Sequence, residues 1–291
     1  MTSPAVNTAR VSGDDGPWPA AGFAAPFYDA VRADLAAFVA FPNVAELSAL
    51  ANERNLQAAN GVALRFLEAD ATGRQADGLG IVDNPYELRV HDEGAIETRP
   101  GNWHDLFNAL SWLAWPKAKA ALNALHVREL LSAADRTRRG AARDVATLFD
   151  EGGAVVAVSD PLFADLADLL RGMRWRHLFV ARRADVVRHL RCFVFGHALL
   201  DKARDPYKAM TAHALLLPVP PDFHPLPVAR QVALLDARVA EWLADPSNLV
   251  SAAQLGPLPL LGLPGYCEAN LKPAFYDDAQ VFRPARLRIT Q

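Results

Sequence analysis

The stretch RPGNWHDLFNALSWLAWPKAKAALNALH, residues 99–126, reads as two consecutive helices. Asn102 is a good N-cap, and Asp105 follows three residues later, near the positive end of the helix dipole. Pro116 stands where proline is tolerated, in the first turn of a second helix. On the first helix His104, Asn108 and Ser111 are spaced by four and three and share a face, with Asp105 and Asn108 as neighbours. Phe107, Leu110 and Ala114 fall on a different face. On the second helix Lys119, Asn123 and His126 repeat the same spacing, while Ala118, Leu122 and Leu125 supply its apolar side. If the helices fold against each other about Ala114-Trp115-Pro116, the two polar stripes converge on one cleft.

Such a cleft has a definable chemistry. A histidine titrating near neutrality moves protons, and a neighbouring carboxylate orients it or stabilises its charged form. His104 is the candidate acid/base and Asp105 its orienter. Asn108 and Asn123, with Asn102, Lys119 and His126, are the candidate holders of a substrate carbonyl or phosphate. Helix caps and solvent faces carry the same residue types, so the spacing equally fits two ordinary amphipathic helices.

Working outward, Phe27, Val31, Leu35 and Phe38 predict a helix over 27–41, stopped at Pro42, and a second follows over 44–55. ALRFLEAD (63–70) alternates as a half-buried strand does. LGIVDNPYELRVHDEGAIETRP (79–100) reads as strand, turn, strand, turn, strand, with Tyr86, Leu88 and Val90 alternating and Asp92-Glu93-Gly94 as a hairpin turn. Beyond the quoted stretch, helices are expected over 138–149, 160–171, 184–202 and 228–244, with a strand at AVVAVS (154–159). The Pro- and Gly-rich run from 256 onward is expected to wrap the domain in extended pieces.

His197 follows Val186, Leu190 and Phe193 at helical steps, so it is expected on an apolar stripe, where a buried imidazole needs a partner. His213 precedes a buried-looking strand and is a second catalytic candidate. His197 and His213, with Asp150 or Glu151, form a conceivable divalent-metal set, but no HExxH, HxH or DxD spacing supports it. No cofactor motif is identified.

Length and composition bound the reading. The chain has 291 residues, 51% hydrophobic and 22% charged, enough for a sizeable core in a single domain. The net charge of −3 argues against a globally basic nucleic-acid binder. A local basic face remains: seven arginines lie between 171 and 191, among them Arg174, Arg176 and Arg183, and a second cluster includes Arg138, Arg139 and Arg143. Guanidinium forks bind phosphates and carboxylates, although charge runs are commonly solvated faces paired with local acids. Cys192 and Cys267, the only cysteines, offer no zinc-ribbon or disulfide framework, which fits a reducing compartment. No apolar run approaches the roughly 20 residues of a membrane helix. The opening residues lack the basic start and apolar run of a secretory signal, and residues 1–19 are expected to form a flexible tail. A cytoplasmic location follows. No Walker loop, GxGxxG fingerprint, GxSxG elbow or SxxK motif occurs.

The quoted stretch, with RDVATLFDEGGAVV (143–156), FVFGHALLDKARDPY (193–207), TAHALLLP (211–218), PLPLLGLPGY (257–266) and FYDDAQVFRP (275–284), resembles an uncharacterised bacterial family, domain of unknown function 3025. Trp115 stands where the family pattern suggests Phe. The resemblance implies a soluble bacterial protein and no particular activity. The sequence therefore predicts a predominantly helical α+β domain over 20–291, with a small antiparallel sheet largely from 62–100. Three functions are compatible with it: a hydrolase or transferase acting on a small polar or anionic substrate in a His/Asp/Asn cleft, a nucleic-acid or polyanion binding module, or a structural, partner-binding protein.

Overall fold

The strand Gly153–Ser159 (GAVVAVS) is buried along its whole length, because it is the inner strand of a sheet covered on both faces. Strands of this kind lose the polar alternation of a one-sided strand and read as continuous apolar runs. The computed structural model describes residue 18 and residues 20–69, 86–132, 140–249 and 251–284. In chain order its helices are α1 (Arg32–Ala37), α2 (Val44–Glu53), α3 (Tyr86–Glu93), α4 (Trp103–Ala114), α5 (Pro116–Ser132), α6 (Ala141–Gly152), α7 (Asp160–Arg171), α8 (Arg183–His189), α9 (His197–Lys202) and α10 (Val228–Ala244). Its strands are β1 (Arg65–Glu68), β2 (Ala95–Thr98), β3 (Gly153–Ser159), β4 (Leu190–Val194), β5 (Thr211–Val219) and β6 (Gly256–Pro259).

The main sheet has the order β4-β3-β5-β6. β3 runs parallel to β5 and antiparallel to β4, and β6 is antiparallel to β5. Side-chain alternation divides the interior in two. Ala154, Val156 and Val158 of β3 join a core with α7, α4 and the N-terminal segments. Val155 and Ala157 face a second core built by Leu122 and Leu125 of α5, Phe149 of α6, and Leu235 and Val239 of α10. The result is an α+β architecture in three layers. No helix among the described residues is long and apolar enough to cross a membrane.

Several expectations hold. Asn102 caps α4 by accepting from the Asp105 amide at 3.0 Å. α5 starts at Pro116, α7 at Asp160-Pro161, and α10 spans its expected residues. Others are corrected. The expected antiparallel sheet over 62–100 is a two-stranded parallel pair, β1 with β2, and the larger sheet is the mixed one formed later in the chain. Residues 86–93 are helical, not a strand and turn. A segment of eight residues satisfies either period, and here Tyr86 and Val90, four apart, turn the same face inward. Gly94 is the left-handed residue that ends this helix, at φ +66°, with its amide bonded to the Val90 carbonyl. A Cβ there would lie 2.0 Å from the Ala63 carbonyl oxygen, so only glycine fits.

The expected long helix over 184–202 is broken into α8, β4 and α9. LRCFV pairs with β3, and that burial outweighs its helical spacing. The expected helix over 27–41 is a 3₁₀ turn at Pro26–Tyr28 followed by the short α1. Of the expected tail, only Trp18 lies within the described residues, and it stacks on Trp103 with ring centroids 5.5 Å apart. Residues 70–85, and with them the start of the 79–100 reading, lie outside the described residues, as does the start of the helix expected at 138.

The α4–α5 corner is fixed from a distance in sequence. Asp236 of α10 accepts from the Lys117 and Ala118 amides at 3.1 and 2.8 Å and so caps the N-terminus of α5. It is buried, 3% exposed. Asp236→Ala removes both acceptors and leaves the buried Ala118 amide and the part-buried Lys117 amide without a partner. It is expected to cost about 1–3 kcal/mol in chemical unfolding, with Asp236→Asn recovering part of the loss. A cost below about 0.5 kcal/mol would rule the cap out as a fixed point of the fold.

Candidate functional site

The polar stripes of α4 and α5 do meet. They line one open cavity of about 390 Å³, shared with α3, β2, α6 and α9. The link between the stripes is Lys119, whose Nζ donates to Asn108 Oδ1 at 3.0 Å and to Asp150 Oδ1 of α6 at 2.5 Å. Lys119 is only 3% exposed and lies 5.3 Å from the centre of the Trp112 ring. Asn108 completes its bonding by donating to the Tyr86 hydroxyl at 3.1 Å.

Gly196 brings His197 into this arrangement. Its amide donates to the Gly153 carbonyl at 2.9 Å, and a Cβ would meet the Glu151 carbonyl oxygen at 2.4 Å. This close approach seats the start of α9 against the α6–β3 corner. His197 Nδ1 then lies 3.8 Å from Asp150 Oδ2, beyond hydrogen-bond length. The His197 and His104 rings meet edge to face, with centroids 4.6 Å apart and planes at 83°.

His104 is the accessible imidazole, with its side chain 43% exposed and Nδ1 3.2 Å from Asp105 Oδ1. Asp105 in turn is clamped by Arg99, which donates its backbone amide, Nε and Nη2 at 2.9, 2.7 and 2.7 Å. Burial works to raise the Asp105 pKa, but these donors and His104 hold it well below the usual carboxylate range. At Asp150 burial also pushes upward, and Lys119 and His197 bring the net shift below the ordinary value.

Burial lowers His197 to about 4, with the Lys119 and His104 charges adding to the effect and Asp150 opposing it. Burial likewise lowers His126, against the pull of Asp150 and Glu87. Both rings are therefore neutral at pH 7, each with a buried Nδ1 that has no hydrogen-bond partner. Burial raises the Tyr86 hydroxyl well above its ordinary value, so it stays protonated. Asn123 donates to the Glu87 carbonyl at 2.9 Å, and its Oδ1 is buried without a partner. Buried polar atoms in native structures are overwhelmingly bonded, so three such atoms in residues lining one cavity call for an explanation.

His104, Asp105, Asn108, Lys119, Asn123, His126 and His197 thus all line the cavity. Two expected residues are placed elsewhere. Asn102 is spent on its cap, and His213 sits in β5 beside Gly152, outside the cavity lining. Among the described residues no group of three or more His, Cys, Asp or Glu is arranged to hold a metal ion, and the His197/His213 set is not assembled. Of the expected anion-binding arginines, Arg174, Arg176 and Arg183 do not line the cavity. Arg174 pairs with Asp168 and Arg176 with Asp277. Arg183 donates to the Asn270 side chain at 3.0 Å and to the Tyr276 hydroxyl at 3.3 Å. Arg138 and Arg139 lie outside the described residues.

Tyr86, Glu87 and Arg99 are functional-site residues beyond those expected from the sequence, and Asp150 is expected there only as a metal ligand. Tyr86 and Glu87 were hidden by the strand assignment. Arg99 carried a usable signal, since it stands six residues from the Asp105 it clamps.

The chain matches the family described as Protein of unknown function (DUF3025) over residues 74–286. It belongs to that family. The DUF3025 match spans every cavity-lining residue named above. No curated protein and no solved structure matches the chain.

The buried imidazoles tie stability to pH. An unfolded His197 binds its proton near pH 6.5, whereas the folded one resists protonation until about pH 4. The His197 contribution to stability is therefore complete above about pH 6.5 and is lost as the pH drops toward 4. This one group contributes up to about 3 kcal/mol to the loss. Urea unfolding at pH 7.0 and 4.5 is expected to show a smaller acid loss in His197→Asn than in wild type. Equal losses would show that His197 is not held neutral by its surroundings.

Proposed function

We propose that the protein is an enzyme that moves protons on a small polar substrate held in the α4–α5 cleft, most simply as a hydrolase or transferase. The observation that carries this reading is the convergence of His104, Asp105, Asn108, Lys119, Asn123, His126 and His197, from three helices, on one open cavity. Perturbed titratable groups gathered in a cleft are a recognised mark of catalytic sites.

The roles follow from exposure and bonding. His104 is the acid/base that reaches substrate, because it alone of the three imidazoles is substantially open. Asp105, held as a carboxylate by Arg99, fixes the His104 ring and balances its charge when protonated. His197, neutral and edge-on to His104, is a second catalytic candidate at 4.6 Å between ring centres. Lys119 holds Asn108 and Asp150 in place and is a positioning residue. A small polar ligand suits the cavity volume and its polar lining.

Binding of nucleic acid or another polyanion by the arginine face is the weaker reading, because Arg174, Arg176 and Arg183 are engaged with partners on the same chain. A bacterial, cytoplasmic setting remains part of the proposal, carried by the cysteine usage and the family resemblance.

A thermal-shift screen of small polar metabolites, followed by turnover assays on the hits, tests the reading. His104→Gln is expected to lower kcat by about 10²–10⁴ while Tm stays within a few degrees of wild type, and Asp105→Asn by a smaller factor. A substrate turned over equally by wild type and His104→Gln would defeat it.

A further inference from the structure

The cleft is unevenly supplied with donors and acceptors. Among the described residues that line it are five carboxylates and only two permanent cations, Arg99 and Lys119. Both cations are spent, Arg99 on Asp105 and Lys119 on Asp150. Glu97 is likewise taken, by Arg89 at 2.5 Å.

Acceptors, by contrast, are left over at the end of the cleft between α3, α5 and α6. Among the described residues Glu87 has only Arg143 opposite it, at 3.9 Å, too far for a hydrogen bond. Among the described residues Asp150 Oδ2 has only the His197 ring, at 3.8 Å. Glu87 and Asp150 line the same cavity as Asn123 and His126. Independently of these acids, Asn123 and His126 are 5% and 7% exposed, and each keeps an atom, Oδ1 and Nδ1 respectively, without a partner among the described residues. The Asn123 amide cannot flip to relieve this, since its Nδ2 is already committed to the Glu87 carbonyl.

We infer that this end of the cleft receives an ammonium group of the substrate, whose N–H donors satisfy Glu87, Asp150 and the Asn123 amide oxygen. A primary ammonium has three donors and no acceptor, the complement of what the wall presents. Burial strengthens such charge-assisted bonds. The substrate class is then an amine-bearing small molecule, with the reacting atom placed toward His104. This deepens the acid/base reading and relies on it only for the choice of cleft.

The test uses the full chain and four probes: n-butylammonium, tetramethylammonium, butyrate and inorganic phosphate. Binding is followed by thermal shift and by ¹H–¹⁵N NMR titration. Butylammonium is expected to bind saturably, shifting signals of residues 86–87, 123, 126 and 150. Tetramethylammonium, equal in charge but without N–H donors, is expected to bind at least about tenfold more weakly, and butyrate and phosphate not at this site. Glu87→Gln is expected to weaken butylammonium at least about tenfold, the loss of one charge-assisted bond.

Preference for butyrate or phosphate, equal binding of the two ammonium ions, or no effect of Glu87→Gln would each overturn the inference. The wild-type ranking decides the matter even if Glu87→Gln fails to fold. His104→Ala separates the two claims: it is expected to retain butylammonium affinity within about threefold, and loss of binding there would overturn a separate ammonium subsite. Retained turnover in His104→Ala with unchanged amine binding would overturn the acid/base role alone.

Discussion

The Lys119–Asp150 contact at the floor of the cleft joins α5 to α6, reaches α4 through Asn108 and sets the charge that His197 on α9 feels. Lys119 is almost wholly out of water while Asp150 keeps a quarter of its side chain exposed, so removing Asp150 would strand a buried ammonium. The pair therefore constrains four helices at once. The surrounding geometry serves the same corner: Asp236 pins the start of α5, and the glycine at 196 lets α9 approach the end of α6.

The electrostatics of the site follow from that floor. Burial is what keeps His126 and His197 neutral; of the floor pair, Asp150 favours their protonation and Lys119 opposes it. Arg99 does the complementary work at the rim, keeping Asp105 ionised beside the one imidazole that solvent reaches. The cleft thus keeps neutral bases inside and an open, carboxylate-backed histidine at its mouth. Such a division suits proton transfer, because one group can exchange with solvent while its neighbours hold a fixed state.

Much of this was legible in the sequence where local rules decide structure. The Asn102 cap, the Pro116 start and the four-and-three spacing of His104/Asn108 and Lys119/Asn123/His126 placed both stripes correctly. Where tertiary pairing decides, the sequence misled. Leu190–Val194 has helical spacing, yet it joins β3 because sheet burial stabilises it more, and His197 therefore enters the cleft from a helix start and not from an apolar stripe. Gly94 announced a chain reversal but not its kind, since a hairpin and a helix C-terminus both call for a left-handed residue. That ambiguity concealed Tyr86 and Glu87. Asp150 was unreadable as Lys119's partner because the two lie 31 residues apart on separate helices.

A double-mutant cycle across the floor of the cleft bears most directly on this picture. Unfolding free energies would be measured for Lys119→Met, Asp150→Asn and the double variant. If the pair organises the site, each single change is costly and the double recovers part of the loss, with a coupling of about 2 kcal/mol or more. Additive losses within about 0.5 kcal/mol would mean that Lys119 and Asp150 are independent neighbours, and that the cleft is held together by something else.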